Sequence, residues 1–380
     1  MEQKELLTRV QSELKAKKPA DLSMIIGLDG FVDEIIHVVD QRQDFNTFSR
    51  VQTIGALGER IQRAAGLSAN IEFVVAQTKL GGNGPILSNA LIEAGVKLTY
   101  VGALGKPIHP VFQPMAGKSE KVYSLCDPGH TDALEFTDGK LMLGKITVLN
   151  ELTWDNFKGA LGTPAEIAAM IQEVNLFGME NWTMNPGMSA IWEGMVNEVF
   201  PLLGQKPDDK KTIAFFDLAD PEKRTKDDIL LAMALISKFE RKFQTILGLN
   251  EKELYEIAEV FGVTPAESLP ADKRLEQAAR AVYDKLAIHC LVVHPTKEAV
   301  CCIGDRFSRV AGPYCPNPVL TTGAGDNFNA GFCLGQALGL TGEEALAVGV
   351  ATSGYYVRNA RSPKFGELQE FLGEWSEGKV

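Results

Sequence analysis

The sequence predicts an α/β fold in which a mostly parallel central sheet is covered by helices and overhung by a small β lid. Three observations carry this. Short apolar runs with strand character alternate with helical patterns, helix-start signals precede several periodic apolar stretches, and one segment without helix signal contains a hairpin turn.

The strand candidates are 24–28, 71–76, 98–101, 213–216, 245–249 and 288–293. Among the helices, Thr163-Pro164-Ala165-Glu166 offers an N-cap, a proline at N1 and a glutamate at N3 ahead of Ile167, Met170, Ile171 and Val174. Thr341 with Glu344 repeats the pattern. Residues 119–150 hold LEFTDGKLML, where Asp138-Gly139 separates two alternating segments, the signature of a β-hairpin. A hairpin early in an α/β chain is placed to cover a site on the carboxyl edge of the sheet. Leu6, Leu7, Val10 and Leu14 recur at helical spacing among charges of both signs. The expected organisation is an N-terminal helix over 1–21 and one domain over 22–375, with lid elements around 71–78 and 119–150.

With 380 residues, 45% of them hydrophobic, the chain can bury a large core, which excludes a disordered or fibrous class. A net charge of -11 without clustered Lys and Arg argues against nucleic acid as a partner. Six cysteines without CxxC spacing and only five histidines suggest neither a zinc site nor a disulfide framework. The N-terminus lacks the apolar core of a signal peptide, and the longest apolar stretch, 229–236, falls well short of the ~18 residues of a membrane span. A reducing, cytoplasmic compartment is expected.

The most informative stretch is VLTTGAGDNFNAGFCLGQALGL, residues 319–340. Thr322-Gly323-Ala324-Gly325-Asp326 can form a tight turn feeding a helix whose apolar face carries Phe328, Phe332 and Leu338. Unpaired amides and the positive end of the helix dipole make such a turn an anion hole. An acidic residue there repels a phosphate, so its presence points to proton chemistry beside the anion. The plain structural alternative is that Asp326 caps the helix.

This stretch resembles the second signature of the PfkB-type, ribokinase-like carbohydrate kinases over about twenty residues without a gap. The resemblance implies a three-layer α/β/α ribokinase-like fold and an ATP-dependent kinase phosphorylating a hydroxyl of a small neutral sugar. Asp326 falls on the family's catalytic base. Gly323, Ala324 and Gly325 fall on the hole that steadies the transferring phosphoryl group.

LGGNGPILSNALIEAGVKLTYVGALG, residues 80–105, resembles the first signature, with Gly81, Gly82 and Asn83 at the sugar, although Ile86 stands where the family usually has asparagine. GLDGFVDEI places Asp29 and Asp33 at the end of the first strand, where relatives hold sugar hydroxyls. Asn250 and Glu253 form a capping box by spacing and also resemble an Asn-x-x-Glu motif that places Mg²⁺ through water. Thr296 stands in a loop that relatives set beside the ATP phosphates, and Asn359 follows a helix that lines their adenine pocket. Mg²⁺, ATP and a monovalent cation such as K⁺ are the expected cofactors. A sugar or nucleoside is the expected partner, with a homodimer through the lid and no membrane contact.

Three other readings stay open: a nucleoside kinase, an ADP-dependent sugar kinase of the same superfold, and a catalytically idle ligand-binding relative. Because Asp29, Asp33 and Asp326 gather near Gly81-Gly82 with no cation inside those motifs, the acceptor is expected to be uncharged. Arg224 is the basic residue expected to intrude.

Overall fold

The computed structural model of the chain describes residues 3–207 and 211–380, so the first two residues of the expected N-terminal segment lie outside it. Among the described residues, fourteen strands form two sheets. In chain order they are β1 (Ser23–Leu28), β2 (Phe31–Arg42), β3 (Phe48–Arg50), β4 (Phe73–Gly81), β5 (Lys97–Gly102), β6 (Lys121–Ser124) and β7 (Gly129–Phe136). There follow β8 (Gly139–Lys145), β9 (Leu176–Met179), β10 (Ile213–Asp217), β11 (Gln244–Leu249), β12 (Cys290–Val293), β13 (Glu298–Ile303) and β14 (Arg306–Ala311).

The main sheet runs β14-β13-β12-β11-β10-β9-β1-β5-β6, parallel from β12 through β6 and antiparallel only at β13 and β14. Its strands are buried on both faces, which is why they read as continuous apolar runs. In β1, Ile25 and Leu28 join one core and Met24 and Ile26 the other. The first core is roofed by helices such as Pro164–Gln172 and Lys226–Phe239.

The seven helices that matter below are α1 (Gln3–Lys15), α2 (Ile54–Arg63), α3 (Asn83–Glu93), α4 (Glu251–Val260), α5 (Ala324–Ala337), α6 (Gly342–Asn359) and α7 (Phe365–Ser376). On the second face α3, α5 and α6 pack on the sheet. There α1 buries Leu6, Leu7, Val10 and Leu14 in the same core as Leu368, Phe371 and Leu372 of α7. The predicted N-terminal helix is therefore part of this layer.

The lid is a second sheet, ordered β3-β2-β7-β8 with β4 on β2. Its hairpin, β7–β8, forms as the sequence predicts, but its turn is Thr137-Asp138, one residue before the expected Asp138-Gly139, because Gly139 already pairs with Phe136. Three details differ from expectation. The segment 119–150 begins with β6, which pairs with β5 in the main sheet; the strand expected at 71–76 lies at 73–81; and the longest lid strand, β2, was not foreseen. The stretch 41–79, which resembles nothing in the family signatures, holds the end of β2, β3, α2 and most of β4. Leu57 of α2 and Val51 close a small core with Ile36, Val38, Leu134 and Phe136 of the lid. Among the described residues no helix is long and apolar enough to cross a membrane.

Candidate active site

Parallel strands end on one edge of the sheet, and this is where the chemistry-bearing residues gather. Asp29 follows β1, Glu180 and Asn181 follow β9, Asp217 closes β10, and Asn250 follows β11. Helix α5 points its N-terminus at that edge. Gly323 is its N-cap with φ 89°, and a Cβ there would meet Tyr356 Oη at 3.0 Å and Ile86 at 3.2 Å, so glycine is required. Tyr356 donates its hydroxyl to the Thr322 carbonyl (2.8 Å), and Asn327 Nδ2 donates to Gly323 O (2.8 Å), which pins the turn. The Ala324 N–H is donated to Thr321 O (3.1 Å). Gly325 and Asp326 come next, where helix N–H groups lack intrahelical acceptors.

Two cavities meet at this turn. One, of about 450 Å³, is lined by Asn250, His294, Thr296, Thr321, Gly325 and Ser353, among others. The other, of about 520 Å³, lies under the lid, with Asp33 and Thr131 on one side, Asn83 and Met184 on another, and Asp326 at its floor. Asp326 is 8% exposed, and its Oδ1 accepts from Asn83 Nδ2 (3.0 Å).

Burial dominates the electrostatics. It raises the Asp326 carboxyl to about 8, with Asp29 adding to the rise and the Asn83 hydrogen bond opposing it. Asp29, fully buried, is raised by burial to about 6 against hydrogen bonds from Asn181 and the Gly84 and Asn83 amides. Burial also raises Asp33, against Lys79 and Thr131. Asp217 and Glu180 are pushed well up by burial and by their carboxylate neighbours. His294 is lowered by burial to about 4 and is neutral. A carboxyl whose proton affinity is raised into the range near neutrality, beside a helix N-terminus and between two cavities, is in its ionised form a base strong enough to take a proton from an acceptor hydroxyl while an anion is steadied alongside.

The chain matches the family model described as prokaryotic ketohexokinase over residues 2–375. It is 30% identical over 350 residues to a ketohexokinase of Haloferax volcanii, covering 92% of this chain and 90% of that one. The chain belongs to the prokaryotic ketohexokinase family. Solved structures share the fold at low identity. A phosphofructokinase-2 variant of Escherichia coli aligns with TM-score 0.63 at 13% identity, covering 93% of this chain and 99% of that one. A Cryptococcus neoformans ribokinase in complex with ADP aligns at 0.61 and 16%, covering 92% and 98%. An Arabidopsis thaliana ribokinase with ribose and ATP gives 0.61 and 15%, again covering 92% and 98%. Membership of the ketohexokinase family makes the chain a sugar kinase, a phosphotransferase with an alcohol acceptor, on the ribokinase fold.

In this ketohexokinase-family chain the expected residues divide. Asp326, Gly323, Asp33, Gly82 and Asn83 meet in the lid cavity; Ala324, Gly325, Asn250 and Thr296 line the other. Gly81 acts from behind, since a Cβ on it would coincide with the Asp33 carboxyl group. Asp29 does not line the cavity. It accepts the N–H groups of Asn83 (3.0 Å) and Gly84 (2.9 Å) and the Asn181 amide (2.8 Å), so it anchors the start of α3 from below. Asn359 stands apart from both cavities with its amide on Tyr355 O (2.9 Å); α6 reaches the nucleotide-side cavity with Ser353 and Val357. Arg224 is turned aside, its guanidinium 4.5 Å over the Trp182 ring. Glu253 is buried, its two oxygens accepting the N–H groups of Asp220 and Asn250 (2.8 Å each).

Sequence reasoning missed Asn181, Thr131, Lys79 and Lys223. Asn181 lies in the left-handed region (φ 62°), which asparagine tolerates, two residues after the end of a strand of only four residues. Lys79 pairs across the lid with Asp33, a neighbour that only the β2–β4 register reveals.

Proposed function

We propose that this protein transfers the γ-phosphoryl group of ATP to a hydroxyl of a ketohexose such as fructose, with Asp326 as the general base. The observation that carries the reading is the place of Asp326 at the N-terminus of α5, on the floor of the lid cavity and next to the residues that line the second cavity. The acceptor hydroxyl would donate to the Asp326 carboxylate and lose its proton as its oxygen bonds to phosphorus and the bond to the ADP oxygen breaks. The free N–H groups and dipole of α5 would steady the phosphoryl oxygens. Asp33, Asn83, Thr131 and Asn181 offer hydrogen bonds to neutral hydroxyls, while Phe31, Met142 and Met184 supply apolar walls.

Asp217, which closes β10, and Glu253, in the first turn of α4 after the neighbouring β11, are buried carboxylates with no Lys or Arg ion pair on either among the described residues, so the donor set fits a divalent cation held through water. Mg²⁺ would neutralise charge on the ATP phosphates there. A monovalent cation such as K⁺ belongs to the same reading and is tested by exchanging K⁺ for tetramethylammonium. The six cysteines, none in a disulfide, support a reducing, cytoplasmic setting.

The lid homodimer is also part of the proposal. Because α2 covers the outer lid core, the exposed apolar residues left for it are Phe73 and Val75 on β4 and Leu143 on β8, all more than 40% exposed. Sedimentation of Val75→Asp beside the unaltered protein tests it, and dissociation is the expected result.

A coupled ADP-release assay tests the function over ketohexoses, aldoses, nucleosides and sugar phosphates, with ATP and with ADP as donors. The highest kcat/KM is expected for a ketohexose with ATP. A preference for fructose 6-phosphate, a nucleoside or ADP as donor contradicts it.

A further inference from the structure

The loop after β10 is held in an unusual shape. Ala219 and Asp220 are successive non-glycine residues with φ 58° and 68°. Left-handed backbone at such residues persists only where surroundings enforce it, and it clusters at functional sites. The enforcement is visible. The Asp220 N–H is donated to buried Glu253 (2.8 Å), Lys252 Nζ binds Asp220 Oδ1 (2.8 Å) and Glu222 (2.7 Å), and the Thr183 N–H is donated to Leu218 O (2.9 Å). Arg224, beyond the loop, is fixed on the Trp182 ring.

The product of this arrangement is the position of Lys223. It ends the short 3-10 turn Pro221–Lys223 and lines the lid cavity with Asp326. Among the described residues it is the sole lysine or arginine lining either cavity. Its ammonium rests on Asp220 Oδ2 (3.1 Å), while Lys252 holds the other oxygen of the same carboxylate. Asp220 therefore keeps a cationic partner when Lys223 swings away. The side chain is half exposed and its four-carbon stem is flexible, so it can leave that rest position.

We propose that Lys223 is a catalytic residue that contacts the phosphoryl group in flight from the acceptor side, resting on the sugar-kinase reading above. Phosphoryl transfer spreads negative charge over the equatorial oxygens at a place already flanked by Asp33 and Asp326. The β–γ bridging bond of the nucleotide breaks, the sugar oxygen bonds to phosphorus, and the hydroxyl proton passes to Asp326. Lys223 exchanges no proton and supplies positive charge from the side opposite the nucleotide.

The test compares Lys223→Met, Lys223→Gln and Lys223→Arg with the unaltered protein, with thermal melting to confirm that each is folded. At saturating fructose and ATP, Met and Gln should lower kcat ~10²-fold, the scale for losing one electrostatic stabiliser, with both KM values within ~3-fold. Arg should recover part of the rate. A second arm needs no sugar: retention of MgADP with aluminium fluoride should weaken ~10-fold or more in Met and Gln, with MgADP alone bound as before. Unchanged kcat with equal retention overturns the proposal, and so does a rise in the fructose KM alone. If the unaltered protein turns over no ketohexose yet retains the fluoride complex that Lys223→Met loses, the acceptor reading falls and Lys223 keeps its role.

Discussion

Asp326 holds its proton up to about pH 8 because it is desolvated and because buried Asp29 lies nearby. The base form therefore grows as pH rises, and kcat/KM for the sugar should climb on an acid limb near pH 8. Asp29→Asn removes the neighbouring charge while keeping an acceptor for the α3 amides, so the limb should move to lower pH; an unmoved limb would remove Asp29 from the electrostatics of the base. The same shift acts on stability. A carboxyl raised on folding favours the folded state fully below its ordinary value of 3.8 and loses that contribution as pH rises through about 8. Asp326→Asn should therefore melt higher than the unaltered protein at pH 9, with the gap closing toward pH 4. At this scale the sequence was legible where chemistry is local. The Thr322–Asp326 turn announces itself because its glycines and its acid are contiguous. Asn181, Lys79 and Lys223 reach the site through a short strand, a cross-strand register and a strained loop, none of which leaves a contiguous signal.

Helix α4 shows one element serving two tasks. The capping box of Asn250 and Glu253 was readable from spacing, and both of its hydrogen bonds form. Its second use was not readable, because the Asp220 N–H that Glu253 also accepts comes from 33 residues away. Glu253→Gln should lower stability by about 1 kcal/mol for the weakened cap alone, seen as a lower melting temperature, and raise the Mg²⁺ concentration for half-maximal rate. A lower melting point with unchanged Mg²⁺ dependence would leave Glu253 as cap and latch only. The lid makes a parallel case. Strand β2 breaks strict alternation at Ile35-Ile36, where its register with β4 shifts, so its pattern does not read as one strand. Leu57→Ala in α2 should loosen the lid by about 2–4 kcal/mol, seen as faster amide exchange in β7 and β8 and a higher sugar KM. Exchange unchanged there would mean that α2 does not support the lid.

Across the whole molecule, the parallel sheet was legible because strands buried on both faces are continuous apolar runs, as Ile213–Asp217 and Gln244–Leu249 are. Short β6 and β9, four residues each, fell below that signal, and with β9 went the residues at its carboxyl end. What the fold achieves is convergence: the parallel strands β1, β9, β10 and β11 and one helix N-terminus bring a nucleotide-side cavity and a lid-covered cavity to a single buried aspartate. That aspartate is the centre of the mechanism, and the measurement that tests it most directly is kcat for a ketohexose with ATP in Asp326→Asn, taken beside the affinity for MgATP. The substitution keeps the shape of the turn, so MgATP should bind within ~3-fold of normal while kcat falls at least ~10²-fold. Near-normal turnover with intact nucleotide binding would contradict it.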